Sequence, residues 1–119
     1  MEQKPAIIIT IDTEPDNQWI PGKSISLDNL DYIPRFQSLC EEFSFKPVWL
    51  TEYNVALNKA YCDYMKDKLK QGLCEIGLHP HAWTTPPDIQ LTDNDLISKP
   101  YMTEYPIDII RKKIDTHVG

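Results

Sequence analysis

Two stretches far apart in the chain end in side chains able to bind a metal: Ile9-Thr10-Ile11-Asp12-Thr13-Glu14 and Glu75-Ile76-Gly77-Leu78-His79-Pro80-His81-Ala82-Trp83. Each begins as an apolar run. Residues two apart on an extended strand point to the same face. Asp12 and Glu14 are therefore expected to face one way, as are His79 and His81 if strand geometry persists through Pro80. Two carboxylates and two imidazoles suit a divalent cation, with zinc the first choice for mixed nitrogen and oxygen donors. The chemistry requires the two strand ends to meet.

The elements must supply that meeting. Ala6 to Ile11 is apolar and β-branched, as expected of a strand buried on both faces of a parallel sheet. A polar loop follows, from Thr13 to about Ser26. Leu30, Ile33, Phe36, Leu39 and Phe43 then mark a helical stretch over 28–43, with Pro34 placing the start of its main part. Lys46 to Thr51 reads as the second strand. A helix is expected over 54–71, with Leu57, Tyr61, Met65 and Leu69 on one stripe and Gly72 just past its end. Cys74 to His79 is the third strand. The segment 80–103 holds too many prolines for a regular element, and Ile107, Ile110 and Ile114 mark a last helix behind Pro106. The order βαβαβ-loop-α predicts an α/β fold with a parallel sheet and right-handed crossovers.

At 119 residues the chain is one domain at most. Three strands and three helices cannot close a barrel. The expectation is an incomplete domain over 1–119 whose C-terminal half is absent, leaving an exposed sheet edge through which the chain could self-associate. The net charge of −6, with no Lys/Arg cluster, argues against nucleic acid or an anionic membrane as partner. No stretch has the pattern of a signal peptide or the length to span a membrane. The three cysteines, Cys40, Cys62 and Cys74, lack C-x-x-C spacing and read as reduced structural thiols of a cytoplasmic protein.

Active sites of α/β folds collect at the C-terminal ends of parallel strands, where both stretches end. With the strands in sequential order, the first and third lie about 9 to 10 Å apart. A histidine reaches roughly 6 Å from its α-carbon to a metal and a carboxylate nearly as far, so one ion spans the gap.

With those residues in place, the chain resembles the polysaccharide deacetylases that share the NodB homology domain, and most of all their WalW-like subgroup. The resemblance rests on Asp12-Thr13-Glu14-Pro15-Asp16-Asn17-Gln18-Trp19 and on His79-Pro80-His81-Ala82-Trp83-Thr84-Thr85-Pro86-Pro87, with Glu75-Ile76-Gly77 leading into the second motif. It implies the first half of a distorted (β/α) barrel, with Asp12 as general base and Glu14 and His79 as metal ligands. The commoner family motif puts its second histidine four residues after the first, where this chain has Trp83; His81 is the substitute, in a different register. It further implies hydrolysis of the N-acetyl amide of a carbohydrate. The arginine and histidine of the family's later motifs would fall beyond the region of resemblance, so this form is expected to be inactive or weakly active.

Two other function classes stand beside that one. His-x-His at a strand end also resembles the amidohydrolase and PHP barrels, although there the motif closes the first strand rather than the third. The chain could also be a catalytically dead or binding-only fragment. Trp19 and Trp83 are candidate walls for a sugar ring, with packing as their ordinary alternative. Trp49, Tyr101, Tyr105 and the other aromatics are expected to pack. His117, the remaining histidine, is given no catalytic role.

Overall fold

The computed structural model describes residues 2–91 and 100–119. Three short parallel strands form one sheet in the order β1-β2-β3: β1 Thr10–Thr13, β2 Val48–Thr51 and β3 Glu75–Leu78. A 3₁₀ turn, Asp28–Tyr32, leads into α1, Ile33–Glu42. Between β2 and β3 lie α2, Tyr53–Ala56, and α3, Lys59–Lys70. A second 3₁₀ turn, Met102–Glu104, precedes α4, Ile107–Val118. The chain is thus a small α/β protein with an open sheet. Residues 92–99 of the expected long loop lie outside the described residues.

The first strand sits further along the chain than its apolar run suggests. Ile7 and Ile8 are 71% and 78% exposed, and the ladder begins where Val48 N donates to Ile9 O at 2.9 Å. Nor is the sheet buried on both faces. Residues paired across a parallel ladder share a face, so Thr13 and Thr51 lie on one side together with Ile11 and Trp49. That side packs on the core of Ile33, Trp49, Val55, Tyr61, Met65 and Cys74. The opposite side, bearing Asp12, Leu50 and Gly77 in one row, is left partly open. Gly77 belongs there because a Cβ would come within 2.6 Å of Leu50 Cδ2.

The helix stripes differ from expectation in an instructive way. In α1 the buried residues are Ile33, Gln37 and Cys40, while Leu39 and the following Phe43 are exposed and Phe36, partly exposed, meets Trp49 edge-on. Gln37 is fully buried because its amide is used completely: it donates to Leu73 O at 2.9 Å and accepts from Trp49 Nε1 at 2.9 Å. Trp49 packs in the core as expected. The helix expected over 54–71 is interrupted at Leu57, which is exposed, and restarts at Asn58, whose side chain caps the Tyr61 N–H at 2.9 Å. Gly72 ends it as expected, at φ 71°, with Leu73 N bonded to Lys68 O and Gly72 N to Leu69 O.

In α4 the buried positions are not the isoleucines but Lys113 and His117. The Lys113 ammonium donates to Thr85 O and Pro87 O at 2.6 Å each, and His117 Nε2 donates to Thr51 O at 2.8 Å. A polar clamp therefore holds this helix against the third loop and the end of β2. The cysteines are all free, with Cys40 and Cys74 buried. Among the described residues no helix is long and apolar enough to cross a membrane.

Candidate metal centre

The C-terminal ends of β1 and β3 flank that of β2, and side chains reach across it. His79 N donates to Thr51 O at 3.0 Å, continuing the ladder one residue past β3, and Glu52 N donates to Thr13 O at 2.9 Å on the other side. These bonds fix the backbone from which Glu14 and His79 project. Glu14 Oε2 lies 3.3 Å from His79 Nε2 and 2.9 Å from His81 Nε2, and the two imidazole Nε2 atoms are 3.0 Å apart. The three ligand atoms fall within 4.8 Å of one another.

Those separations suit a single cation. Donors at the 2.0–2.1 Å bond lengths of tetrahedral zinc stand roughly 3.3 Å from each other. Without a cation the triangle is poorly satisfied. A neutral imidazole Nε2 either donates or accepts, so His81 cannot donate to Glu14 while also accepting from His79 without losing one contact. A cation accepting a lone pair from each of the three would resolve the conflict. Burial, the largest influence, pushes the His81 imidazole below its ordinary range, against the attraction of Glu14, which favours the charged form; the net shift favours the neutral form that a ligand must take.

Surrounding groups orient the three. Trp19 Nε1 donates to Glu14 Oε1 at 3.0 Å, leaving Oε2 for the histidines. Asn29 Nδ2 donates to Glu14 O at 2.7 Å, and its own N–H is tied to Asp16 Oδ2 at 3.1 Å, so the β1 loop is closed onto the 3₁₀ turn. Trp83 stacks on His81, with centroids 4.6 Å apart and planes at 15°. Trp19 meets both rings edge-on, at 5.2 and 4.8 Å.

Asp12 is placed differently from Glu14. Its Oδ1 is 3.7 Å from His79 Nδ1, on the ring nitrogen turned away from the cluster, and its side chain is 62% exposed to an open cleft. That cleft, of about 490 Å³, is lined by Asp12, Glu14, Trp19, His79, His81, Trp83, Pro100, Tyr101 and Met102, among others. Tyr101, expected to pack, instead stands 78% exposed at its rim. His117 does not reach the cleft.

Sequence reasoning passed over Glu52, Gln18 and Thr84. Glu52 is wholly buried directly after β2, where it accepts from Asn54 N, Asn54 Nδ2, Gln18 Nε2 and Thr84 Oγ1. Its position was the available signal: it ends the middle strand just as Glu14 and His79 end the flanking ones. Comparison of the chain with family models, with curated proteins and with solved structures returned no match.

Proposed function

We propose that the chain carries the metal-binding half of a hydrolase acting on the N-acetyl amide of a carbohydrate. The observation that carries this reading is the convergence of Glu14 Oε2, His79 Nε2 and His81 Nε2 beside an aromatic-rimmed cleft. The resemblance to polysaccharide deacetylases supplies the substrate class, and the open inner face of the sheet suits part of a barrel.

A divalent cation, zinc in the first instance, would supply Lewis-acid polarisation of the amide carbonyl and acidify an attacking water. Glu14, His79 and His81 would hold it. Asp12 stands in the same cleft with its carboxylate largely exposed, suited to accept the water's proton as attack proceeds. Trp83 and Tyr101 offer ring faces and edges to a sugar, while the Trp19 N–H is committed to Glu14.

A binding-only role is the second reading, favoured by one observation. Among the described residues lining the cleft, the ionisable side chains are Asp12, Glu14, His79, His81 and the Tyr101 phenol at the rim, so no histidine, lysine or carboxyl group outside the cluster and Asp12 is there to protonate the leaving amine. General acid catalysis is worth roughly 10²- to 10⁴-fold, so turnover by this chain is expected to be low even when metal binds.

Zinc or cobalt titration of wild type, His79→Ala, His81→Ala and Trp83→Ala at pH 7.5 and 5.5 tests the centre. Both histidine variants should lose affinity far more than Trp83→Ala, and the wild type should bind less well at the lower pH. Equal affinity in wild type and both histidine variants would remove the metal centre. Robust hydrolysis of an N-acetylated oligosaccharide would instead remove the binding-only reading.

A further inference from the structure

Glu52 is 0% exposed, and no ion pair engages it among the described residues. A carboxyl group buried without a cation is a costly way to end a strand, and an apolar side chain would do that better. What a carboxylate offers instead is acceptor capacity on two oxygens. Here Oε1 takes Gln18 Nε2 at 3.3 Å, Asn54 Nδ2 at 3.1 Å and Thr84 Oγ1 at 2.6 Å, while Oε2 takes Asn54 N at 2.8 Å. Every contact is a donor, and the donors come from three segments: the loop after β1, the start of α2 and the loop after β3.

Two of those segments lead straight to the cluster. Thr84 N and Thr85 N both bond His81 O, at 3.2 and 3.1 Å, so the Thr84 hydroxyl anchors the turn that presents His81. Gln18 precedes Trp19, whose indole holds Glu14 Oε1. Gln18 is itself buried, and this contact is its amide's only bond among the described residues, its Oε1 having no partner.

We propose that Glu52 is the positioning residue of the Glu14–His79–His81 cluster, its buried carboxylate drawing the loops after β1 and β3 together so that Glu14 meets His81. The role concerns placement and not ligation, and its bearing on metal affinity rests on the metal-binding reading above.

Cobalt titration, followed by the visible absorption of the bound ion, is the test, with wild type, Glu52→Gln, Thr84→Val and Thr84→Ser compared. The near-ultraviolet circular dichroism of the Trp19–Trp83 pair, recorded without metal, is a second readout. Glu52→Gln keeps the shape but sets an N–H₂ donor among donors. It should weaken cobalt binding about tenfold or more, as loss of outer-shell support does, and alter the absorption. Thr84→Val should do likewise, and Thr84→Ser, which keeps the hydroxyl, should restore wild-type affinity. Should Glu52→Gln fail to fold, the Thr84 pair decides alone. Lower stability with unchanged cobalt affinity and spectrum would reduce Glu52 to a structural role and overturn the proposal. If wild type takes up no cobalt, the metal-binding reading fails by itself; the tryptophan signal of metal-free Glu52→Gln and Thr84→Val then decides, its loss supporting the positioning role and its persistence overturning it.

Discussion

The two oxygens of Glu14 have separate tasks. Oε1 accepts the Trp19 indole N–H, and Oε2 faces both histidines. Trp19→Phe keeps much of the edge-on packing against His81 and Trp83 but frees the carboxylate to rotate. Zinc affinity should fall by about tenfold, within the range of other lost outer-shell partners, with little change in the unfolding midpoint of the metal-free protein. An unchanged affinity would show that packing alone orients Glu14. The pH response belongs to this scale as well. Burial holds the His81 imidazole below its ordinary value, so between the unfolded value of about 6.5 and the lower folded one the unfolded chain binds more protons. His81 should therefore contribute a loss of metal-free stability as pH falls through that window and none above it; denaturant titrations of wild type and His81→Ala at pH 7.5, 6.5 and 5.5 would show the difference. Glu14, His79 and His81 were legible because they follow directly on the apolar runs, although all three lie just past strands that end at Thr13 and Leu78. Glu52 was not, since a single carboxylate after a strand reads as an ordinary exit residue and its partners, Gln18 and Thr84, are uncharged loop residues outside any periodic pattern.

Among the elements, helix ends were easier to read than helix faces. Pro34, Pro106 and Gly72 stand near the boundaries they announced, because fixed φ and left-handed backbone are local properties. Faces depend on what lies opposite, which is why a glutamine occupies the core position of α1 and why Leu57 falls on a break. The two helix C-termini invite a paired test. Both α1 and α3 close with the same two backbone bonds, Phe45 N to Cys40 O and Ser44 N to Glu41 O in the first, Leu73 N to Lys68 O and Gly72 N to Leu69 O in the second. The left-handed position is filled by Gly72 at φ 71° in one and by Ser44 at φ 58° in the other. A Cβ on Gly72 would touch nothing within 4 Å, so the cost of adding one is conformational only. Gly72→Ala should cost about 1–2 kcal/mol, and Ser44→Gly should gain a fraction of that, up to about 1 kcal/mol. Chemical denaturation reads both. Destabilisation by Ser44→Gly would mean that the serine is held by something beyond backbone geometry.

On the scale of the whole molecule the fold is open. Its radius of gyration is 16.6 Å, against about 13–14 Å for a compact chain of this length. Among the described residues, helices pack on one face of the sheet around Trp49, while the face bearing Asp12 is partly open and Ile76 and Leu78 of the edge strand are exposed. Sequence periodicity pointed to the parallel α/β arrangement, with sequential strand order a condition and not a derivation, but it did not show this one-sidedness, since an apolar run does not reveal which of its residues will find cover. The last helix shows how such a molecule holds a peripheral element. Ile107 and Val118 are exposed and Ile110 and Ile114 only half-buried, and α4 is tied down by Lys113 on Thr85 O and Pro87 O and by His117 on Thr51 O, one helical turn apart. Burial pushes the Lys113 ammonium below its ordinary range, Asp88 partly opposing, so the clamp is costly as well as strong. Lys113→Met removes the donor from two carbonyls and should cost roughly 2 kcal/mol; His117→Leu removes one bond and should cost about 1 kcal/mol. If both clamps serve one docking event, losing either frees most of the helix and the second loss adds little. The double variant should then be less destabilised than the sum of the singles by more than the roughly 0.5 kcal/mol within which independent sites add. Amide exchange along α4 should rise nearly as far in each single variant as in the double. Additive energies, with exchange confined to the turn nearest each substitution, would show two separate anchors. Because Lys113 also holds the residue next to Thr84, undocking of α4 should reach the cluster, and Lys113→Met should weaken zinc binding where His117→Leu does so only through the shared helix.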